Sequence, residues 1–112
     1  MDCLFCKIAA GDIPSDKIYE DEQVLAFNDI DPQAPVHFLV IPKAHIASPA
    51  DICEENNAVT AHIFTVIARL AKELSLENGY RVVTNCGKDG GQSVAHLHFH
   101  VLAKRSLKWP PG

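Results

Sequence analysis

A chain of 112 residues is long enough for one hydrophobic core, so a single domain over residues 1–112 is expected. Hydrophobic residues make up 47% and the net charge is −4 with its six histidines neutral; this disfavours a protein held on nucleic acid by phosphate neutralisation. No apolar run approaches a membrane span and Met1 to Leu4 lacks the features of a signal peptide; a cytosolic protein is therefore expected, whose four cysteines are thiols or metal ligands rather than disulfides.

Cys3-Leu4-Phe5-Cys6-Lys7-Ile8-Ala9-Ala10 reads as a short helix stopped by Gly11, with Pro14 closing the turn. Lys17 to Glu20 reads as a short strand, Asp21-Glu22 as a turn, and Gln23 to Asn28 as the returning strand of a hairpin. Asp29 to Pro35 is a proline-punctuated loop. Val36 to Ile41, β-branched and aromatic and ended by Pro42, is the strongest strand signal; its near-continuous apolarity predicts a central strand covered on both faces. Val59, Ile63, Val66, Ile67, Leu70 and Leu74 form one apolar stripe at helical spacing, with Asn56 or Asn57 able to cap its start and Gly79 following its end. Tyr80 to Thr84 reads as a strand, Asn85 to Ser93 as a Gly-rich loop, and His96 to about Ala103 as a further strand. The ending Trp109-Pro110-Pro111-Gly112 fits neither a helix nor a central strand.

This order predicts an α+β fold: a mostly antiparallel sheet of about five strands, one long helix on one face and a short N-terminal helix. The less covered face, or a sheet edge, is then available to a ligand or a partner.

The chemistry concentrates in His96-Leu97-His98-Phe99-His100-Val101. On a strand, period-two alternation sends Leu97, Phe99 and Val101 to the core and aligns His96, His98 and His100 on the other face. Upstream, Asn85-Cys86-Gly87-Lys88-Asp89-Gly90-Gly91-Gln92-Ser93 is rich in backbone donors able to wrap an anion. A loop of that kind feeding a row of imidazoles points to chemistry on a phosphate. His-x-His on a strand is also a zinc-binding arrangement, and spacing alone leaves both open. His37, on the central strand, either faces these histidines or is a buried structural residue.

This hexapeptide matches the His-φ-His-φ-His-φ signature of the histidine triad superfamily of nucleotide hydrolases and transferases. Asp89 to Val94, Phe27 to Ile46 and the Trp-Pro-Pro-Gly ending resemble its Hint branch, the purine nucleoside phosphoramidases, so the likeness runs from about Cys3 to Gly112. It implies that His98 attacks phosphorus and forms a nucleotidyl-imidazole, with a backbone carbonyl of the same strand holding its second nitrogen. His100 would hydrogen-bond a phosphate oxygen, and Ser93 would sit near the leaving atom. Asn85 and the N–H groups around Gly91, Ser93 and Val94 would cradle the non-bridging oxygens; one such donor is typically worth about 3 kcal/mol.

The same resemblance implies that Asp29 takes the ribose hydroxyls and that Phe5, Ile8, Phe27, Ile30 and Leu39 wall the base; without it, these apolar residues read as core. The leaving amine requires a proton, which either the substrate nitrogen or His98 supplies. Some relatives, and the hexose-phosphate uridylyltransferases, hold zinc on a cysteine pair plus two histidines; the matching positions are Cys3, Cys6, His45 and His96. Many Hint-branch proteins lack that pair, so free thiols and a redox Cys-x-x-Cys stay open. No organic cofactor is implied. The resemblance also implies a homodimer joined near the long helix and a central strand. Residues 104–112 would then carry Trp109 toward the partner's site. Beside phosphoramidate hydrolysis stand two other readings, a dinucleoside polyphosphate hydrolase and a nucleotide-binding interaction module.

Overall fold

The computed structural model describes residues 3–112. Helix α1 (Leu4–Ala10) starts where the Cys3 thiol accepts the Cys6 N–H at 3.3 Å, and stops at Gly11, whose left-handed backbone (φ 84°) only glycine adopts without strain. Strands β1 (Lys17–Glu20) and β2 (Val24–Asn28) form the expected hairpin. Its turn is built on Asp21, whose Oδ1 accepts the N–H groups of Gln23 and Val24 at 2.8 and 2.9 Å. Strand β3 (Val36–Pro42) is followed by a 3₁₀ turn at Pro49–Asp51, helix α2 (Ala58–Glu73), strand β4 (Tyr80–Val83) and strand β5 (Phe99–Ala103).

All four strand pairs are antiparallel, in the order β1-β2-β3-β5-β4, so β3 is central and β4 is an edge. The period of two divides β3 between two cores. Phe38 and Val40 join Val24, Ala26, Leu97, Phe99 and Val101 against Ile63, Val66, Ile67 and Leu70 of α2. Leu39 and Ile41 join Leu25 and Phe27 against Phe5 and Ile8 of α1. A helix of seven residues is too short to stand alone; burial of Phe5 and Ile8, at about 1.5–3 kcal/mol per side chain, holds α1 on the sheet.

Three details depart from the sequence-based expectation. Asn57 occupies the N-cap of α2 but makes no side-chain cap bond, and Asn56 instead closes the preceding turn, accepting the Cys53 N–H and donating to the Asp51 carbonyl. The positive-φ residue directly after α2 is Ser75 (φ 59°), with Gly79 (φ 110°) four residues further on, and Leu74 is 38% exposed because the stripe leaves the sheet there; Ala71 and Leu76 pack in its place. Strand β5 begins at Phe99, so His96 and His98 lie outside the ladder. A tight turn (His96 N–H to Val94 O, 2.9 Å) and a single bond (Leu97 N–H to Ile46 O, 2.6 Å) hold that segment, yet the alternation survives: Leu97, Phe99 and Val101 are all in the α2 core.

Candidate active site

Register brings the histidines together. Leu39 pairs with His100 and Val83 pairs with His100 from the other side, so His37, two residues before Leu39, shares the face of His100. His37 Nε2 lies 2.9 Å from His100 Nδ1. The loop between β2 and β3 folds over this pair: the Asp29 N–H donates to the His37 carbonyl and the Gln33 N–H donates to His37 Nδ1, both at 3.0 Å. His37 is the functional candidate that sequence reasoning left undecided; its signal was its alternation with Leu39 and Ile41 on β3.

Each ring's tautomer follows from its fixed neighbours. His98 Nδ1 faces the His96 carbonyl oxygen at 2.7 Å and must donate to it, which leaves the Nε2 lone pair of the neutral ring free. Because Gln33 donates to His37 Nδ1, the proton of His37 is on Nε2; it donates to His100 Nδ1, and the proton of neutral His100 is then on its outward Nε2. Burial, with the His98 and His37 rings adding, pushes His100 down to about 4 against the opposing pull of Asp29, so His100 is neutral at pH 7. Thr84 Oγ donates to the His98 carbonyl at 2.9 Å and Phe5 meets the His98 ring edge-on at 5.1 Å.

His96 is fully buried. Its Nε2 lies 2.8 Å from the Pro42 carbonyl and carries the proton, so the Nδ1 lone pair points at Cys3 Sγ (3.2 Å), His45 Nδ1 (3.3 Å) and Cys6 Sγ (3.5 Å). Cys6 Sγ is 3.3 Å from His45 Nδ1, and the four ligand atoms all lie within 4.8 Å of one another. A tetrahedral zinc with its usual bond lengths has N–N edges of about 3.3 Å and S–N edges of about 3.6 Å. The donor set and spacing therefore fit that ion, and the Pro42 carbonyl is the outer-shell acceptor that a ligating imidazole requires. Burial, with the Cys3 side chain adding, raises the Cys6 thiol, and burial keeps His96 neutral.

Asp29, His37 and His100 form a second group with convergent donor atoms, Asp29 Oδ2 lying 3.4 Å from His37 Nε2 and 3.9 Å from His100 Nδ1. Here the Gln33 N–H works against a metal, since it places the His37 proton on the nitrogen that would have to ligate. The group is a hydrogen-bond relay.

The Gly-rich loop is tied internally. Asn85 Nδ2 donates to the Gly90 carbonyl at 2.6 Å, and Gln92, which sequence reasoning passed over, accepts the Gly87 N–H and donates to the Ala47 and Val94 carbonyls. The Gly91 N–H donates to the Lys88 carbonyl at 3.1 Å; among the described residues the N–H groups of Ser93 and Val94 have no partner. The Ser93 side chain is exposed on the same stretch, three residues before His96. Phe5, Ile8, Phe27 and Leu39 are between 5 and 7% exposed and form one apolar cluster with Val94 packed against it, while Ile30 is fully exposed beside Asp29. One Asp29 oxygen already accepts the Asp31 N–H. Trp109 is 80% exposed. Two cavities, of about 440 and 330 Å³, lie at the other end of β5 around Asn78, Gly79, Arg105 and Ser106; the histidines line neither.

The family model for the HIT domain matches residues 10–107. An uncharacterised HIT-like protein of Synechococcus elongatus is 49% identical over 111 residues, 99% of this chain and 97% of its own length. Among solved structures, a HIT family hydrolase from Legionella pneumophila superimposes with a TM-score of 0.97 at 48% identity, covering 99% of this chain and 100% of the other. A histidine triad nucleotide-binding protein from Candida albicans superimposes with a TM-score of 0.82 at 35% identity, covering 97% and 83%. With its paired histidine relay and its His-x-His-x-His segment, this chain belongs to the HIT domain family.

Proposed function

We propose that the protein hydrolyses the P–N bond of purine nucleoside 5′-phosphoramidates and releases a nucleoside monophosphate such as AMP. The observation that carries this reading is the 2.7 Å bond from His98 Nδ1–H to the His96 carbonyl, which leaves Nε2 as a neutral nucleophile. The His98 Nε2 lone pair forms a bond to phosphorus while the P–N bond of a substrate protonated on its bridging nitrogen breaks, so the amine leaves neutral. Water then attacks phosphorus and gives up a proton to solvent, the P–Nε2 bond breaks, and His98 returns to its neutral form. His100 Nε2–H and the free N–H groups of Ser93 and Val94 would stabilise the non-bridging oxygens, and Asp29 would take the ribose hydroxyls. The hydrolase from Legionella and the nucleotide-binding protein from Candida support the reaction class. The choice of phosphoramidate rests on the Asp89–Val94 segment and the Trp-Pro-Pro-Gly ending.

Cys3, Cys6, His45 and His96 would hold zinc, which would supply a cross-link rather than take part in the reaction. Two copies would join through the open β4 edge, flanked by Tyr80 (41% exposed) and by Phe64 of α2 (47% exposed), and Trp109 would approach the partner's site. Among the described residues no helix is long and apolar enough to cross a membrane. The test compares an adenosine 5′-phosphoramidate with a diadenosine polyphosphate under the same conditions. Faster turnover of the phosphoramidate and its loss by several orders of magnitude in His98→Ala are expected. Preference for the polyphosphate, or undiminished turnover in the variant, refutes the proposal.

A further inference from the structure

The two cavities beyond the end of β5 share Asn78, Gly79, Arg105 and Ser106, so they adjoin. Lys104 lines the larger, Arg81 and Lys108 line the smaller, and Arg105 lines both. Four of the chain's ten lysines and arginines thus meet there, on a protein with fourteen acidic residues. No aspartate or glutamate lines either cavity; Glu77, between the lining residues Leu76 and Asn78 in sequence, is in neither wall. Lys17, Lys43 and Arg69 each hold a glutamate, but none of these four cations meets a carboxylate among the described residues. Their partners are main-chain carbonyls: Lys104 Nζ donates to Ser75 at 2.7 Å, Arg105 donates through Nε to Gln33 at 3.0 Å and through Nη1 to Ser106 at 3.4 Å, and Arg81 donates to Lys108. The Lys108 ammonium itself has no partner among the described residues.

A carbonyl aims a cation without neutralising it. Lys104 keeps two of its three N–H donors, Arg105 three of five and Arg81 four of five. A lysine beside the end of α2 is what a helix C-terminus favours, but that accounts for one cation of the four. The geometry points to a second anion site, separate from the histidines, that takes a chain of two or three linked phosphates. One phosphate group carries about −1.5 to −2 at pH 7, too little to balance four cations, whereas a di- or triphosphate matches them. Each guanidinium fork can pair with two phosphate oxygens at once, and the Asn78 and Ser106 side chains add neutral donors to the same walls. A cavity of about 440 Å³ falls within the range of small-ligand sites. The site stands independently of the reaction at His98.

The test titrates the full ¹⁵N-labelled chain with inorganic triphosphate and follows the amide shifts, with calorimetry on the same preparation. Expected is one-to-one binding that saturates below about 1 mM, with the shifts concentrated in residues 75–81 and 104–108. The Lys104→Gln/Lys108→Gln double variant should bind about tenfold more weakly, and raising the salt from about 50 to about 300 mM should weaken wild-type binding roughly fivefold. Arg105 is left intact, because the Gln33 carbonyl that it holds belongs to the residue whose N–H donates to His37. ATP in a parallel titration separates the sources of such a chain. Shifts at the same residues with an affinity equal to that of triphosphate show a site for the phosphate chain alone, and an affinity about tenfold higher assigns that chain to a nucleotide. Absence of saturation up to about 10 mM, shifts confined to residues 85–100, or equal affinity in the double variant overturns the proposal. The wild-type shifts decide this even where the variant fails to fold.

Discussion

Replacing His37 with Phe tests the relay most directly. Phenylalanine keeps a flat ring at a strand position that is only 6% exposed, so the change is chemical rather than volumetric. It removes the acceptor of the Gln33 N–H (3.0 Å) and the donor to His100 Nδ1 (2.9 Å). Two such bonds contribute about 1–3 kcal/mol of net stability. The catalytic effect is separate. With His37 gone, the carboxylate nearest to His100 Nδ1 is Asp29, at 3.9 Å, and it draws the His100 proton to Nδ1. The outward Nε2 then presents a lone pair to the substrate in place of a donor. Loss of one transition-state donor costs about 10²–10³ in kcat, and since His100 still samples the correct tautomer, a fall near the lower end, about 10²-fold, is expected with KM within threefold. Steady-state kinetics and a thermal melt on the same preparation check this. If the melting temperature falls and kcat stays within threefold, His37 is structural and the relay reasoning is wrong.

A Cβ on Gly90 would lie 2.3 Å from the Cys86 carbonyl oxygen, so Gly90→Ala must shift the backbone that Asn85 Nδ2 ties together. A roughly tenfold weaker calorimetric affinity for AMP, about 1.4 kcal/mol, is expected; an unchanged affinity would show that this loop does not hold the nucleotide. Asp21→Ala removes the acceptor of Gln23, Val24, Tyr19 and His62, and should cost about 2–3 kcal/mol in urea unfolding with kcat unaltered. Burial opposes the Asp21 carboxylate, but the His62, main-chain and Tyr19 bonds outweigh it and hold the group well below the usual range. This contribution is thus present above about pH 4 and lost only in strong acid. His100 weakens the fold on acidification too, but at higher pH and because burial disfavours its charged form. Its folded pKa of about 4 lies below the ordinary 6.5, so between these values the unfolded chain binds the proton first. The stabilisation is full above pH 6.5 and falls on acidification, by about 2 kcal/mol once the 23% exposure of the ring is allowed for. Urea midpoints at pH 7 and pH 5 for wild type and His100→Gln should differ in slope; parallel behaviour contradicts the assignment.

Much of the fold was legible because its signals are local. The seven-residue helix capped by Gly11, the hairpin on Asp21 and the β3 strand follow from turn chemistry and period-two patterning within a few residues. The misplaced features were decided by competing hydrogen-bond partners, some a few residues away and others distant in sequence. Asn56 was drawn from capping α2 by the Asp51 carbonyl and the Cys53 N–H. The strand pattern at His96 and His98 is real as alternation, but the Pro42 and Ile46 carbonyls hold this segment in place of a ladder.

The sequence by itself determined which face each residue of the triad segment takes, since alternation needs only an extended chain, and it determined the family through motifs that extend from Phe27 to Gly112. Only the tertiary structure decided what each imidazole can do. A histidine's chemistry depends on which nitrogen holds its proton, and that is set by whichever carbonyl or N–H lies within about 3 Å. Those partners are Pro42 for His96, the main chain of His96 for His98, and Gln33 acting through His37 for His100. Three rings with the same spacing thus leave the fold as a metal ligand candidate, a nucleophile candidate and a hydrogen-bond donor.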